Sequence, residues 1–99
     1  MLDIKVGDQG EIMLSGRFDA SQAALAETVM AAVTESRVVD LGGLEYISSL
    51  GLGVLLATQK RLMAKGHTLK LVNLRGHVRE VFFYAGFDGI FGIDPKPQA

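Results

Sequence analysis

Cysteine and tryptophan are absent from this 99-residue chain, and it contains only two prolines. Without cysteine the chain cannot form a disulfide framework or a thiolate metal site, and this absence suits a reducing cytoplasm. Hydrophobic residues make up 48% of the sequence. That content, together with so little proline, is typical of a globular protein and not of a disordered one.

An excess of positive charge and a long apolar run are also missing. The formal net charge is −1, so the electrostatics do not favour nucleic acid as a partner. No apolar stretch approaches the about 20 residues that cross a bilayer, and residues 1–5 lack the charged-then-apolar pattern of a signal peptide. We therefore expect a cytoplasmic protein with no nucleic-acid partner and no direct membrane insertion.

Strand and helix patterns alternate along the chain after an initial hairpin. Short apolar or alternating runs predict strands over 2–7, 10–16, 37–41 and 69–72, with a short last strand within 90–93. Apolar stripes at helical spacing predict helices over about 20–34, 49–65 and 76–85. This order predicts an α/β fold: a mainly parallel mixed sheet of four to five strands, beginning with an antiparallel hairpin and packed against helices. We assign residues 1–94 to one domain and 95–99 to a loose C-terminal tail.

The same patterns predict which side chains face inward. Leu25, Val29 and Val33 form the expected buried stripe of the first helix. In the second helix, the predicted water-facing side chains include Thr58, Lys60 and Arg61. Gly42-Gly43 is expected to end the third strand. The consecutive valines of that strand indicate burial on both of its faces.

Two adjacent serines, Ser48 and Ser49, lie where a loop after the third strand becomes the start of the second helix. Backbone N–H groups left unpaired there favour a side-chain oxygen and, more strongly, an anion. A serine can therefore simply cap the helix, and capping is the simpler explanation for both. A phosphorylated serine would instead place a dianion where the helix can receive it. Asp19, with Gln22 three residues later, is explained just as simply as a cap.

Motifs for enzymatic or metal chemistry are weak. Gly51-x-Gly53 is not followed by the third glycine of a dinucleotide motif. Ser49 lacks the first glycine of a nucleophile elbow, which would lie two residues before the serine. His67 and His77 have no partner at metal-ligand spacing. We predict no catalytic residue, no metal and no cofactor. A small-molecule or enzymatic site has only the glycine-flanked loop in its favour.

The run from Val39 to Leu56 resembles the signature of STAS domains in the bacterial anti-sigma factor antagonist family. That pattern is an apolar strand ending in Asp-Leu, then Ile-Asp-Ser-Ser-Gly-Leu, then a helix. Further similarity is found at Gly16-x-x-Asp19, at 69–73 and from 78 to 87. The resemblance covers nearly the whole chain and implies a single STAS-like domain.

By this resemblance, Ser49 is the phosphorylated serine, with Ser48 as the second choice, and Asp19 is its acidic neighbour across the loop ends. The implied partner-binding residues are Asp19, Ser48, Ser49, Leu50, Gly51, Leu52 and Gly53. Ser48 replaces the aspartate of the family pattern and Leu50 replaces its following serine. The apolar patch would be supplied by Leu50, Leu52 and Gly53, and Lys60 and Arg61 would form its polar rim.

The resemblance also implies a mechanism, and it is not that of an enzyme. The unphosphorylated domain binds an anti-sigma factor or a histidine-kinase-like serine kinase. The kinase phosphorylates the serine, the complex dissociates, and a metal-dependent serine/threonine phosphatase resets the cycle. The departures at Ser48 and Leu50 keep an alternative open: a non-switched STAS subunit of a stressosome or of a lipid or anion transporter complex.

Overall fold

The computed structural model describes residues 1–93, so the predicted domain end at residue 94 and the predicted tail at 95–99 lie outside the described residues. The strands are β1 Leu2–Val6, β2 Ile12–Phe18, β3 Arg37–Ile47, β4 Leu69–Val72 and β5 Gly92–Ile93. The helices are α1 Ala23–Ala31, α2 Ser49–Met63 and α3 Gly76–Tyr84. A 3-10 turn, Ala20–Gln22, precedes α1, and a second, Phe87–Gly89, follows α3.

The five strands form one sheet in the order β1-β2-β3-β4-β5. The β1–β2 pair is antiparallel and the other three pairs are parallel. The predicted α/β fold, with its mainly parallel sheet and initial antiparallel hairpin, is therefore confirmed. Because β2 and β3 are parallel neighbours, their carboxyl ends meet, and Phe18 is in register with Ile47.

The sheet has one face covered by helices and one face open to solvent. Its inward side chains are almost completely buried, and they are Ile12, Leu14, Val39, Leu41, Leu69 and Leu71. On the other face, Met13, Val38 and Lys70 are exposed. The prediction that both faces of β3 are covered is therefore wrong, because the two consecutive valines divide between the core and solvent. In the part of the chain described here, no helix is long and apolar enough to cross a membrane.

Gly42 and Gly43 do not end β3, as the sequence predicted, but lie inside an eleven-residue strand. Its register with β2 shifts twice, between Met13 and Ser15 and between Gly16 and Arg17. A Cβ at position 43 would approach the Ser15 Cβ to 2.7 Å, so glycine is what allows the two strands to come together there. The longer strand carries the chain directly to Ser48.

Two predicted helix faces are also wrong in detail. The buried residues of α1 are Ala26 and Met30, and Leu25 is 53% exposed, whereas Val33, just beyond the helix, is buried as predicted. The 3-10 turn before α1 has three residues per turn, which changes the phase of the helix relative to a continuous one over 20–34. In α2, Thr58 is buried and not water-facing, and its hydroxyl is paired within the helix, where Oγ1 donates to the Val54 carbonyl at 2.8 Å.

Gln59 joins α2 to the sheet from a buried position. Its Oε1 accepts a hydrogen bond from the Leu69 N–H at 2.7 Å. Its Nε2 donates to the Ile90 carbonyl at 2.8 Å and to Thr68 Oγ1 at 2.9 Å. The buried amide is therefore fully paired, and it connects α2, β4 and the segment before β5.

Arg61 connects α2 to the end of α1. Its guanidinium donates to the Val33 carbonyl at 2.8 Å and to the Met30 carbonyl at 2.9 Å. Both carbonyls lie where α1 ends, a place where helix geometry leaves carbonyl groups short of partners. The Met30 carbonyl also accepts the Val33 N–H at 3.0 Å. Arg61 is half-buried. The prediction that Arg61 faces water is therefore wrong, whereas Lys60 is exposed as expected. Arg61 nevertheless lines a groove beside Leu50, so its place on a polar rim stays a prediction.

We expect Gln59→Ala to lower the free energy of unfolding by about 3 kcal/mol, since the Leu69 N–H would lose its acceptor and a cavity would remain. Urea unfolding followed by circular dichroism measures this loss. Lys60→Ala, at the neighbouring exposed position, is the matched control and should change stability by less than about 0.5 kcal/mol. Equal stability of the two variants would contradict the bridging role of the amide.

Candidate functional site

The candidate site lies at the carboxyl ends of β2 and β3. Beyond the register pair Phe18 and Ile47, the Ser48 N–H donates to the Phe18 carbonyl at 2.9 Å. This bond ties the end of β2 to the first residue after β3. It thereby brings the 3-10 turn after Asp19 against the start of α2. In a parallel sheet, loops at the carboxyl ends of strands are the usual place for a binding surface.

The two serines have different environments. Ser48 is the N-cap of α2, and its Oγ accepts a hydrogen bond from the Gly51 N–H at 3.1 Å. Ser48 is half-buried, whereas Ser49, the first residue of the helix, is exposed. The capping role predicted for either serine is therefore confirmed for Ser48. The Ser49 hydroxyl lies on the surface at the positive end of the α2 dipole, in a first turn that contains no acidic residue.

Gly51 is required by packing. It is buried, and a Cβ there would lie 2.8 Å from Cδ1 of the fully buried Phe18 ring. The first turn of α2 can therefore approach the end of β2 only with glycine at this position. At Gly53 a Cβ would meet nothing within 4 Å. Gly53 is exposed, so close packing against the sheet does not explain it.

The apolar part of the predicted partner surface is divided between surface and interior. Leu50 is 57% exposed, and Leu52 is half-buried and packs against the core. Leu50 and Gly53 border a groove of about 440 Å³ between α1 and α2, together with Glu27 and small residues of both helices. Of the predicted residues, Ser49, Leu50 and Gly53 face solvent, and Gly51 does not.

Asp19 caps the 3-10 turn that leads into α1. Its backbone N–H donates to Gln22 Oε1 at 3.3 Å, and the Gln22 N–H donates to the Asp19 carbonyl at 3.0 Å. The capping arrangement expected from the sequence is therefore present. The Asp19 carboxylate is half-buried, and its Oδ1 lies 3.9 Å from Nε of Arg17.

Next to Asp19 is a stack of side chains that the sequence analysis did not identify. The Arg17 guanidinium lies 4.4 Å from the centre of the Tyr46 ring. The Tyr46 ring is nearly parallel to that of His77, with 5.4 Å between centroids and 3° between planes. The stack joins the ends of β2 and β3 to the first turn of α3. A signal was available, since Arg17 and Tyr46 lie near the ends of their strands, each two positions before a predicted site residue.

Within residues 1–93, no group of three or more metal-ligating side chains could hold a metal ion. A larger depression of about 750 Å³ lies on the open face of the sheet around Val38 and Lys70. It includes none of the predicted partner-binding residues. The arrangement at the candidate site presents an exposed hydroxyl beside an exposed leucine, at a helix N-terminus that can hold an anion.

Comparison with known proteins agrees with this architecture. The family model described as "Mlab, STAS domain" matches residues 3–93. The chain is 44% identical over 90 residues to "Putative anti-sigma factor antagonist BtrV" of Bordetella bronchiseptica, covering 87% of this chain and 78% of that protein.

Solved structures show the same fold. An anti-sigma factor antagonist from Mycobacterium paratuberculosis is 26% identical with a TM-score of 0.78, covering 97% of this chain and 86% of that one. Phosphorylated SpoIIAA of Bacillus is 19% identical with a TM-score of 0.61, covering 97% of this chain and 93% of that one. The resemblance drawn from the sequence is confirmed, and the chain belongs to the STAS domain family.

Proposed function

We propose that this STAS domain is an anti-sigma factor antagonist that is switched by phosphorylation of Ser49. In its unphosphorylated form it binds an anti-sigma factor or a histidine-kinase-like serine kinase through Ser49, Leu50, Gly53 and the neighbouring Asp19. The observation that carries this proposal is the difference between the environments of the two serines. Ser48 is occupied as the cap of α2, and the Ser49 hydroxyl is exposed.

The names of similar proteins support the proposed role as an anti-sigma factor antagonist. BtrV and the Mycobacterium protein are both described as anti-sigma factor antagonists. Such a protein acts by binding, so we assign no catalytic residue to this chain. The kinase supplies the phosphoryl group, and a metal-dependent serine/threonine phosphatase removes it.

The environment of Ser49 supports the proposed phosphorylation switch, because a phosphate there would affect both Leu50 and Asp19. It adds about −1.5 to −2 charges beside the exposed Leu50, where an apolar contact would have to desolvate that charge. It also adds negative charge near the Asp19 carboxylate. The N-terminus of α2 can hold the phosphate in place, so the domain need not change its fold. The switch is therefore a local electrostatic change at a docking surface.

Phosphorylation tests the switch directly. With ATP and a histidine-kinase-like serine kinase that binds it, the protein should be labelled at Ser49, as mapped by mass spectrometry. Ser49→Ala should lose the label, and Ser48→Ala should keep it. Ser21→Ala is the control for another exposed serine near this end of the molecule. A label on Ser48 in the unaltered protein would contradict the assignment.

Binding tests the docking surface. Leu50→Asp should weaken binding to the kinase at least about tenfold, because a buried apolar contact becomes an unpaired charge. Leu25→Asp is a matched control, since Leu25 lies on α1 and is 53% exposed against 57% for Leu50. Titration calorimetry compares the two. If both variants bind as tightly as the unaltered protein, the partner does not dock around Leu50.

The cap geometry predicts opposite roles for the serines in stability. Ser48→Ala should lower the free energy of unfolding by about 1 kcal/mol, because the Gly51 N–H would lose its acceptor. Ser49→Ala should change it by less than about 0.5 kcal/mol, since Ser49 is exposed. Thermal unfolding monitored by circular dichroism measures both. The reverse order would show that Ser49, not Ser48, is the structural residue.

A second candidate function is a STAS subunit that is not switched, in a stressosome or in a lipid or anion transporter complex. Leu50 favours it, because an exposed leucine beside Ser49 suits a permanent apolar contact. Affinity purification of the tagged protein separates the two functions. Recovery of a membrane ATPase without a soluble kinase supports the permanent subunit, and recovery of a kinase supports the switch.

A further inference from the structure

Arg17 stands out because it carries a cation beside the candidate site without a strong partner. We infer that Arg17 is the side chain that receives the phosphate of phosphorylated Ser49, and that Tyr46 and His77 hold it ready for that role. The inference rests on the proposed phosphorylation of Ser49. The inference adds a specific counter-charge for the phosphate, which this chain itself supplies.

Register places Arg17 close to the serine. Arg17 pairs with Tyr46, and one residue later the Phe18 carbonyl accepts the Ser48 N–H at 2.9 Å. Arg17 and Ser49 are therefore each one residue away from this hydrogen-bonded pair. Arg17 and Asp19 lie two positions apart, so both side chains project to the same side of the sheet.

The side chain already extends toward the end of the strand. Residues two apart on a strand are separated by about 7 Å. The Arg17 Nε nevertheless comes within 3.9 Å of Asp19 Oδ1, so the two side chains together bridge this distance. The guanidinium therefore lies beside Asp19, the first residue after β2, and over the Tyr46 ring.

The present pair with Asp19 is weak. A separation of 3.9 Å is too long for a good hydrogen bond, and the two side chains are 53% and 40% exposed. Exposed pairs of this kind contribute little to stability. A phosphate carries more charge than a carboxylate and can accept two parallel N–H bonds from the planar guanidinium. Phosphorylation should therefore draw Arg17 away from Asp19.

Tyr46 and His77 explain why Arg17 is suited to this exchange. One face of the guanidinium lies on the Tyr46 ring, whose position is fixed by β3 and by the parallel ring of His77. Stacking uses the face of the guanidinium and leaves its N–H edge free to bind an oxyanion. It also restricts the rotamers of a long side chain, so less entropy is lost when the phosphate binds.

The exchange would change the docking surface at two places. The phosphate occupies the surface at Ser49, and the Asp19 carboxylate is left without its cation. A partner that docks on the unphosphorylated surface then meets a phosphate bound to Arg17 and an unpaired Asp19 carboxylate, in place of the Arg17–Asp19 pair. Arg17, held in place by Tyr46 and His77, thus determines how much the phosphate changes the charge of the docking surface.

The test uses the full chain with phosphoserine incorporated at position 49 during translation, so that no kinase is needed. The pKa of the phosphate is followed by phosphorus NMR between pH 4 and 9. Because a nearby cation favours the dianion, Arg17→Gln should raise this pKa by about 0.5–1 unit. Tyr46→Leu should raise it by a smaller amount, since Arg17 would remain but would be less ordered.

Controls isolate the effect of Arg17. Arg79→Gln removes the same charge from α3, where the guanidinium lies 4.8 Å from the Phe83 ring, and should leave the phosphate pKa unchanged. His77→Gln removes the ring that lies parallel to Tyr46 and keeps the charge of Arg17, so it should change the phosphate pKa less than Arg17→Gln does. Asp19 and Glu45, the other nearby charges, are kept in every variant. Backbone amide spectra verify that each variant is folded, and Arg17→Lys, which keeps the charge, should restore most of the effect.

An unchanged phosphate pKa in folded Arg17→Gln would overturn the inference. Such a result would leave the proposed function untouched, because labelling of Ser49 and loss of binding are measured separately. Conversely, a raised phosphate pKa in that variant would support the inference even if the kinase modified a residue other than Ser49.

Discussion

The site depends on the packing of Phe18 at the end of β2. Its ring is fully buried and lies so close to Gly51 that a Cβ there could not be accommodated. Its carbonyl accepts the N–H of Ser48. One residue thus fixes both the position of the first turn of α2 and the direction in which the chain enters it. The exposure of Ser49 is a consequence of this packing.

Burial and exposure alternate over a few residues at this point, and that alternation is what makes a regulated surface feasible. Ser48 and Gly51 have structural roles. Ser48 caps α2, and Gly51 packs closely against the Phe18 ring. Ser49 and Leu50 are left on the surface between them. A modification of Ser49 can therefore change charge at the surface without disturbing the cap or the packing beneath it.

Hydrogen bonds between residues distant in sequence add to the apolar core that holds α2 in place. Gln59 bonds to Leu69 and to Ile90, and Arg61 bonds to Met30 and Val33. These bonds fix α2 relative to α1 and β4 over its carboxyl half, while Phe18 fixes its amino end. A helix held at both ends presents its first turn in a constant position, which a docking surface requires.

The amino-acid sequence alone determined the order of strands and helices, the antiparallel hairpin and the start of α2 at the serine pair. These follow from local periodicity, glycine and capping preferences, which act over a few residues. Tertiary structure decided which serine caps and which is exposed, because that depends on where Phe18 and Gly51 meet. It also decided that Gly43 continues β3, that Thr58 is buried and that Arg17 stacks on Tyr46, since each of these is set by a neighbour from a distant part of the chain.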